Sequence, residues 1–177
     1  MSKKNRKKLK NYHVEMQVNS GTSEWVRKFE ELKRCSSRIE ELYLGKIITR
    51  NGEDSWQSPK DLVRNFFRVS YELKETLKQD PTSKFTGAEV EKFCTNSQYA
   101  GLGIDIANQT KHGFWNIIWK RRKTNKKIGV INSGVHIITP DQNDRTEVTI
   151  EIDGVKEDCL KLTKNILIEW EGFISNA

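Results

Sequence analysis

The segment Ser58-Pro59-Lys60-Asp61 constrains the fold more than any other stretch of the chain. It combines a hydroxyl that can cap a helix, a proline suited to the first helical position and an acid three residues after the cap. Leu62, Phe66, Val69, Leu73 and Leu77 follow at intervals of three and four, with Val63 and Phe67 widening the stripe. That spacing puts them on one side of a helix. Pro81 ends it, because the residue before a proline is driven out of helical conformation. The pattern predicts a long amphipathic helix between Ser58 and Pro81, and its apolar stripe must be buried against other elements.

Similar punctuation recurs on both sides. Thr22 or Ser23 can cap an earlier helix, Glu24 complements its positive end, and Gly45 marks its stop. Trp25, Phe29, Leu32, Ile39 and Tyr43 form its stripe. Residues 46–57 read as a connection, with Asn51-Gly52 as a turn signal. Thr86-Gly87-Ala88-Glu89 is a capping box that opens a short helix bearing Val90 and Phe93. Ser97 can cap a further helix over 98–112, with Tyr99, Leu102 and Ile106 inward and Gly113 as its stop. Gly101 and Gly103 each weaken that helix by up to about 1 kcal/mol unless a neighbour packs on them, so close approach of another helix is expected there.

The period then changes from helical to alternating. Residues 128–139 and 146–152 are rich in β-branched side chains, and Thr146 to Ile152 alternates cleanly. Pro140 to Arg145 makes the turn between two antiparallel strands. Asp153-Gly154 closes the second strand and leads into a last helix, which buries Leu160, Thr163, Ile166, Leu167, Trp170, Phe173 and Ile174. A two-stranded ribbon is marginal alone and must lie against the bundle. The expected fold is mainly α: an antiparallel bundle of four to five helices with a small two-stranded antiparallel β-hairpin, about 128–152, before the C-terminal helix. Residues 22–177 form one domain, and residues 1–21, which lack periodicity, read as a flexible basic arm.

Composition sets the outer bounds. At 177 residues, with 35% hydrophobic and 31% charged side chains, the chain can bury a core beneath a strongly ionic surface. No apolar run approaches the roughly 18 residues needed to span a bilayer, and the Lys-rich N-terminus lacks a secretory apolar stretch. A cytoplasmic location is expected. Cys35, Cys94 and Cys159 include no CxxC pair, and an odd count points to free thiols that serve in packing. His13, His112 and His136 are scattered, so neither a metal nor a cofactor is expected. The motifs GxGxxG, GxxxxGK[ST], GxSxG and HExxH do not occur.

The net charge of +7 is concentrated in two places. Residues 1–10 and 120–127 each carry six basic side chains and no acid. Without those twelve, 19 basic residues face 24 acidic ones, a net charge of −5. A mildly acidic body with basic appendages suits attraction to a polyanion. The second appendage is also aromatic. In Phe114 to Lys127, Trp115 and Trp119 precede Lys120, Arg121, Arg122, Lys123, Lys126 and Lys127. Cations fix phosphates and exposed indoles stack on bases, so these eight side chains are the nucleic-acid-binding candidates. The plainer alternative packs both indoles on the core and leaves the cations solvated.

One helix face has chemical potential. At about 100° per residue, Asp105, Asn108 and His112 fall in one sector opposite Tyr99, Leu102 and Ile106, with Lys111 on the flank. An imidazole can give or take a proton near neutral pH, and a neighbouring acid and amide can orient it. A solvated polar face is the alternative.

The stretch Asp105-Ile106-Ala107-Asn108-Gln109-Thr110-Lys111-His112 resembles the Ala-Asn-x-x-Lys-His signature of small bacterial HEPN-like helical proteins. Tyr71-Glu72-Leu73-Lys74-Glu75, the strand before Asp153-Gly154, and Trp170-Glu171 on the last helix extend the resemblance over about 60–175, in the expected order. The resemblance implies a helical bundle, dimerisation through the signature helix, and metal-independent RNA cleavage by an arginine followed by a histidine. Here His112 takes the histidine position and Asn108 the polar one, while the arginine position falls on Ala107 and residues 101–110 contain no Arg or Lys. Arg64-Asn65 matches half the signature without a following histidine. The implied function is a non-catalytic or degenerate HEPN-like module that binds RNA or a partner protein, in a bacterial defence or toxin–antitoxin setting. The alternatives are a metal-independent endoribonuclease, with His112 as acid/base supported by Asn108, Asp105 and Lys111, and a structural subunit of a complex. A homodimer would meet at the Asp105, Asn108 and His112 face.

Overall fold

The computed structural model describes residues 22–45, 58–111, 119–120, 127–136 and 145–176, with backbone only at 109–111, 119–120, 127–136 and 145–146. In chain order the described elements are α1 (Glu24–Tyr43), α2 (Pro59–Gln79), α3 (Gly87–Asn96), α4 (Ala100–Lys111), β1 (Trp119–Lys120), β2 (Lys127–His136), β3 (Arg145–Ile152), β4 (Val155–Asp158) and α5 (Cys159–Ser175). This is the expected mainly helical fold with an antiparallel hairpin ahead of the last helix.

The central element is α2, which packs along α1 and touches α3, α4, β2 and β3. It starts where the sequence predicts. Ser58 accepts the N–H of Asp61 at 3.2 Å and donates its hydroxyl to the Asp61 carboxylate at 2.7 Å. Leu62, Val63, Phe66, Phe67, Val69, Leu73 and Leu77 are all buried. So is Ser70, whose hydroxyl accepts the indole N–H of the fully buried Trp170 at 3.0 Å, tying α2 to α5 and giving that buried donor a partner. The three cysteines are free and buried, as expected of packing thiols. Burial pushes the Cys94 and Cys159 thiols up to about 12 and raises that of Cys35, so the thiolate is disfavoured.

Capping departs from expectation at α1. Ser23 occupies the cap position but its side chain makes no capping bond. The carboxylate of Asp80, beyond the end of α2, accepts the N–H of Trp25 at 3.3 Å instead. Thr82 holds the other oxygen of Asp80 through its hydroxyl at 2.6 Å and its N–H at 2.8 Å. These bonds, from Thr82 first, keep Asp80 below the usual carboxylate range. At the other end of α1, Gly45 takes φ +67°, the left-handed stop predicted for it.

The sheet is antiparallel in the order β1-β2-β3-β4, so the predicted hairpin is present as β2 and β3 and gains a short strand on each side. Asp153-Gly154, predicted to lead directly into the last helix, is a two-residue hairpin turn with φ +53° and +80°, and Ile152 pairs with Val155 across it. Positive φ at both central residues is what a type I′ turn needs, and Asp-Gly supplies it. Alternation along β3 buries Val148, Ile150 and Ile152 against the helices. The ladder between β3 and β4 stops at Thr149 and Asp158, where the chain turns into α5. The next backbone groups, on Val148, would lose their partners there. The Tyr43 hydroxyl replaces them, donating to the Val148 carbonyl at 2.7 Å and accepting its N–H at 2.9 Å.

Candidate functional site

Helix α4 carries the predicted polar face. Its N-terminus is held partly by Ser97, which accepts the N–H of Gly101 at 2.8 Å. The larger hold is remote: Glu169 of α5 accepts the N–H of Tyr99 at 2.9 Å and of Ala100 at 2.6 Å through one carboxylate oxygen. A carboxylate at a helix N-terminus satisfies orphaned donors and opposes the helix dipole. The expected close approach of another helix is present. A side chain at Gly103 would place its Cβ 3.0 Å from Ile166 Cδ1, so α4 lies on α5 there.

Burial on α4 is broader than the three-residue stripe suggested. Leu102, Ile104, Ile106 and Ala107 are buried along with Ala100, and only Asp105 and Asn108 turn outward between 100 and 108. Asn108 is exposed and Asp105 half-buried, with its Oδ2 withdrawn from solvent. These two therefore share one strip of the helix, as predicted. Lys111 ends the helix with its side chain outside the described residues, and His112 lies wholly outside them. Ala107, which falls where the resemblance would expect an arginine, is 4% exposed and faces the core. The half-signature on α2 is otherwise engaged: Arg64 pairs with Asp61 at 3.0 Å, and Asn65 donates to the Cys35 sulfur at 3.3 Å.

Of the nucleic-acid candidates, Trp115, Arg121, Arg122, Lys123 and Lys126 lie outside the described residues. Trp119 and Lys120 form β1, and Lys127 opens β2. Their register pairs Trp119 with Ile128 and Lys120 directly with Lys127. The sequence held no sign of Glu169 or Asp80 as caps, because each meets its partner across 55 to 70 residues of chain.

No helix among the described residues is long and apolar enough to cross a membrane. Comparison with protein-family models, curated proteins and solved structures finds no match for this chain.

Proposed function

We propose that the chain is a HEPN-like helical module without nuclease activity that binds RNA through its basic segments, in a bacterial defence or toxin–antitoxin setting. The pairing of Lys120 with Lys127 carries the binding half of this reading. Six cations without an acid between 120 and 127 attract a polyanion. The register brings the two ends of that run together, and the segment between them holds four further cations for phosphate contacts. The burial of Ala107 supports the non-catalytic half. An arginine there would carry its guanidinium into the apolar interior, away from the strip that holds Asp105 and Asn108.

The test is retention of labelled single-stranded RNA as a function of salt. Affinity should fall steeply with ionic strength, and replacing Lys120 and Lys127 together by alanine should reduce the log–log slope by about 1.4, at about 0.7 per phosphate contact. A salt-independent affinity, or an unchanged slope in the double variant, rules out phosphate-driven binding and leaves a partner protein as the ligand. If a second copy meets the α4 strip, Asn108→Arg at this exposed position lowers the mass seen by light scattering. An unchanged mass removes that interface.

A further inference from the structure

Three aromatic rings near the C-terminal end of α5 pack as a column. Phe173 of α5 stacks on Phe93 of α3 with centroids 4.2 Å apart and planes 10° from parallel. It also stacks on Phe85, in the turn before α3, at 4.4 Å and 25°. Trp170 backs the column from the core, 5.0 Å from Phe93. The three phenylalanines are only half-buried and line an open cleft of about 650 Å³, completed by Lys84, Gly172 and Asn176. Small-ligand sites span roughly 300–1,000 Å³. A side chain at Gly172 would meet nothing within 4 Å, so that wall stands open.

The polar rim is asymmetric. Lys84 is exposed and enters no ion pair among the described residues, whereas Lys74 and Lys78 are both held by Glu91. Glu89, the acid at the cleft, has one oxygen turned into the capping box, where it accepts the N–H of Thr86 at 2.7 Å and its hydroxyl at 2.8 Å. The rim thus offers a free ammonium, an amide at Asn176 and flat apolar faces between them.

We propose that this cleft binds one unstacked nucleobase of a single-stranded RNA, resting on the RNA reading above for the choice of a nucleotide over other planar molecules. A column of near-parallel rings presents a flat outer face, the surface that a further planar ring covers best. Bases stack on such faces with little regard to sequence. The Lys84 ammonium complements one phosphate, and the Asn176 amide can both donate to and accept from a base edge.

The probes are AMP, ribose 5-phosphate and an oligoadenylate, each added to the full chain. AMP should show saturation transfer on its base protons, and ribose 5-phosphate none. Phe85→Ala should weaken oligoadenylate binding by about 5- to 150-fold, the equivalent of about 1–3 kcal/mol for one stacked base, while Phe85→Trp, which keeps a flat ring, retains it. Gly172→Leu has space for its Cβ and fills the cleft, so it should lose binding while keeping the wild-type melting temperature or exceeding it. Oligoadenylate bound equally by wild type, Phe85→Ala and Gly172→Leu overturns the cleft and leaves the RNA reading standing. AMP bound through its base by a protein that does not retain long RNA upholds the cleft and removes that reading. AMP silence, with an apolar dye bound by wild type and lost in Gly172→Leu, overturns the proposal in favour of an apolar partner.

Discussion

Replacing Gly103 by alanine adds one methyl group at the closest approach of α4 to α5. In an open helix the change would stabilise by up to about 1 kcal/mol, the difference in helix propensity. Here the new Cβ lies 3.0 Å from Ile166 Cδ1 and 3.6 Å from Cγ1 and Cγ2. Carbon contacts are favourable at about 3.5–4.0 Å, so the helices must separate or Ile166 must move by about half an ångström. Ile166 is fully buried, and overpacking of such sites costs about 1–3 kcal/mol. The net expectation is a loss of about 1 kcal/mol. Gly172→Ala, on the exposed side of α5 with nothing within 4 Å, is the internal control and should gain up to about 1 kcal/mol. Ile166→Val removes the crowding Cδ1 atom at a cost of about 0.5–1.5 kcal/mol on its own. Combined with Gly103→Ala it should cost less than the sum of the two changes, with a coupling of about 1 kcal/mol. Urea unfolding followed by helical circular dichroism measures all four variants. Gly103→Ala as stabilising as Gly172→Ala, with no coupling to Ile166, would refute the packing of α4 on α5.

Three further perturbations probe other joints of the fold. Glu169→Ala strips the acceptor from two backbone donors of α4 and should destabilise by about 1–3 kcal/mol in the same unfolding assay, whereas Glu169→Gln keeps most of the loss at bay; equal effects would show that the cap is not the cause. Tyr43→Phe leaves the Val148 N–H and carbonyl without their shared partner and should cost about 1–3 kcal/mol, with faster amide exchange at Val148; unaltered exchange would contradict the staple. Hydrogen bonds from Lys78 and then Lys74 hold Glu91 below the usual carboxylate range, so its contribution is present above about pH 4.3 and is lost as pH falls through its folded value. Glu91→Gln should therefore lower stability near pH 7 by about 0.2–1 kcal/mol, since the carboxylate is largely solvated, and match wild type in strong acid; a pH-independent difference would exclude the ion pairs as its source.

What was legible in the sequence follows the range of the interaction. Ser58 and Thr86 cap helices through partners three residues away, so their boundaries could be read directly. Asp80 on Trp25 and Glu169 on Tyr99 and Ala100 join distant segments, and no local pattern announces them. The β4 strand is a different case. Asp153-Gly154 between alternating residues is a hairpin signal, but the four residues after it are too few to stand apart from the approach to a helix. On α4 the helical period correctly sent Asp105 and Asn108 outward together. It understated the burial around them, because α4 packs on α2 and α3 as well as on α5, and Ile104 is buried along with Leu102 and Ile106. Nothing local marks Phe85, which precedes its helix and belongs to no stripe. Only the fold stacks it on Phe173.

The separation between a binding module and a nuclease is tested most directly by incubating end-labelled RNA with the full chain and its His112→Ala variant in excess chelator. On the proposed reading, with Ala107 buried where the resemblance expects an arginine, both proteins should leave the RNA intact while retaining it at low salt. Discrete fragments made by the wild type and missing with His112→Ala would contradict the account.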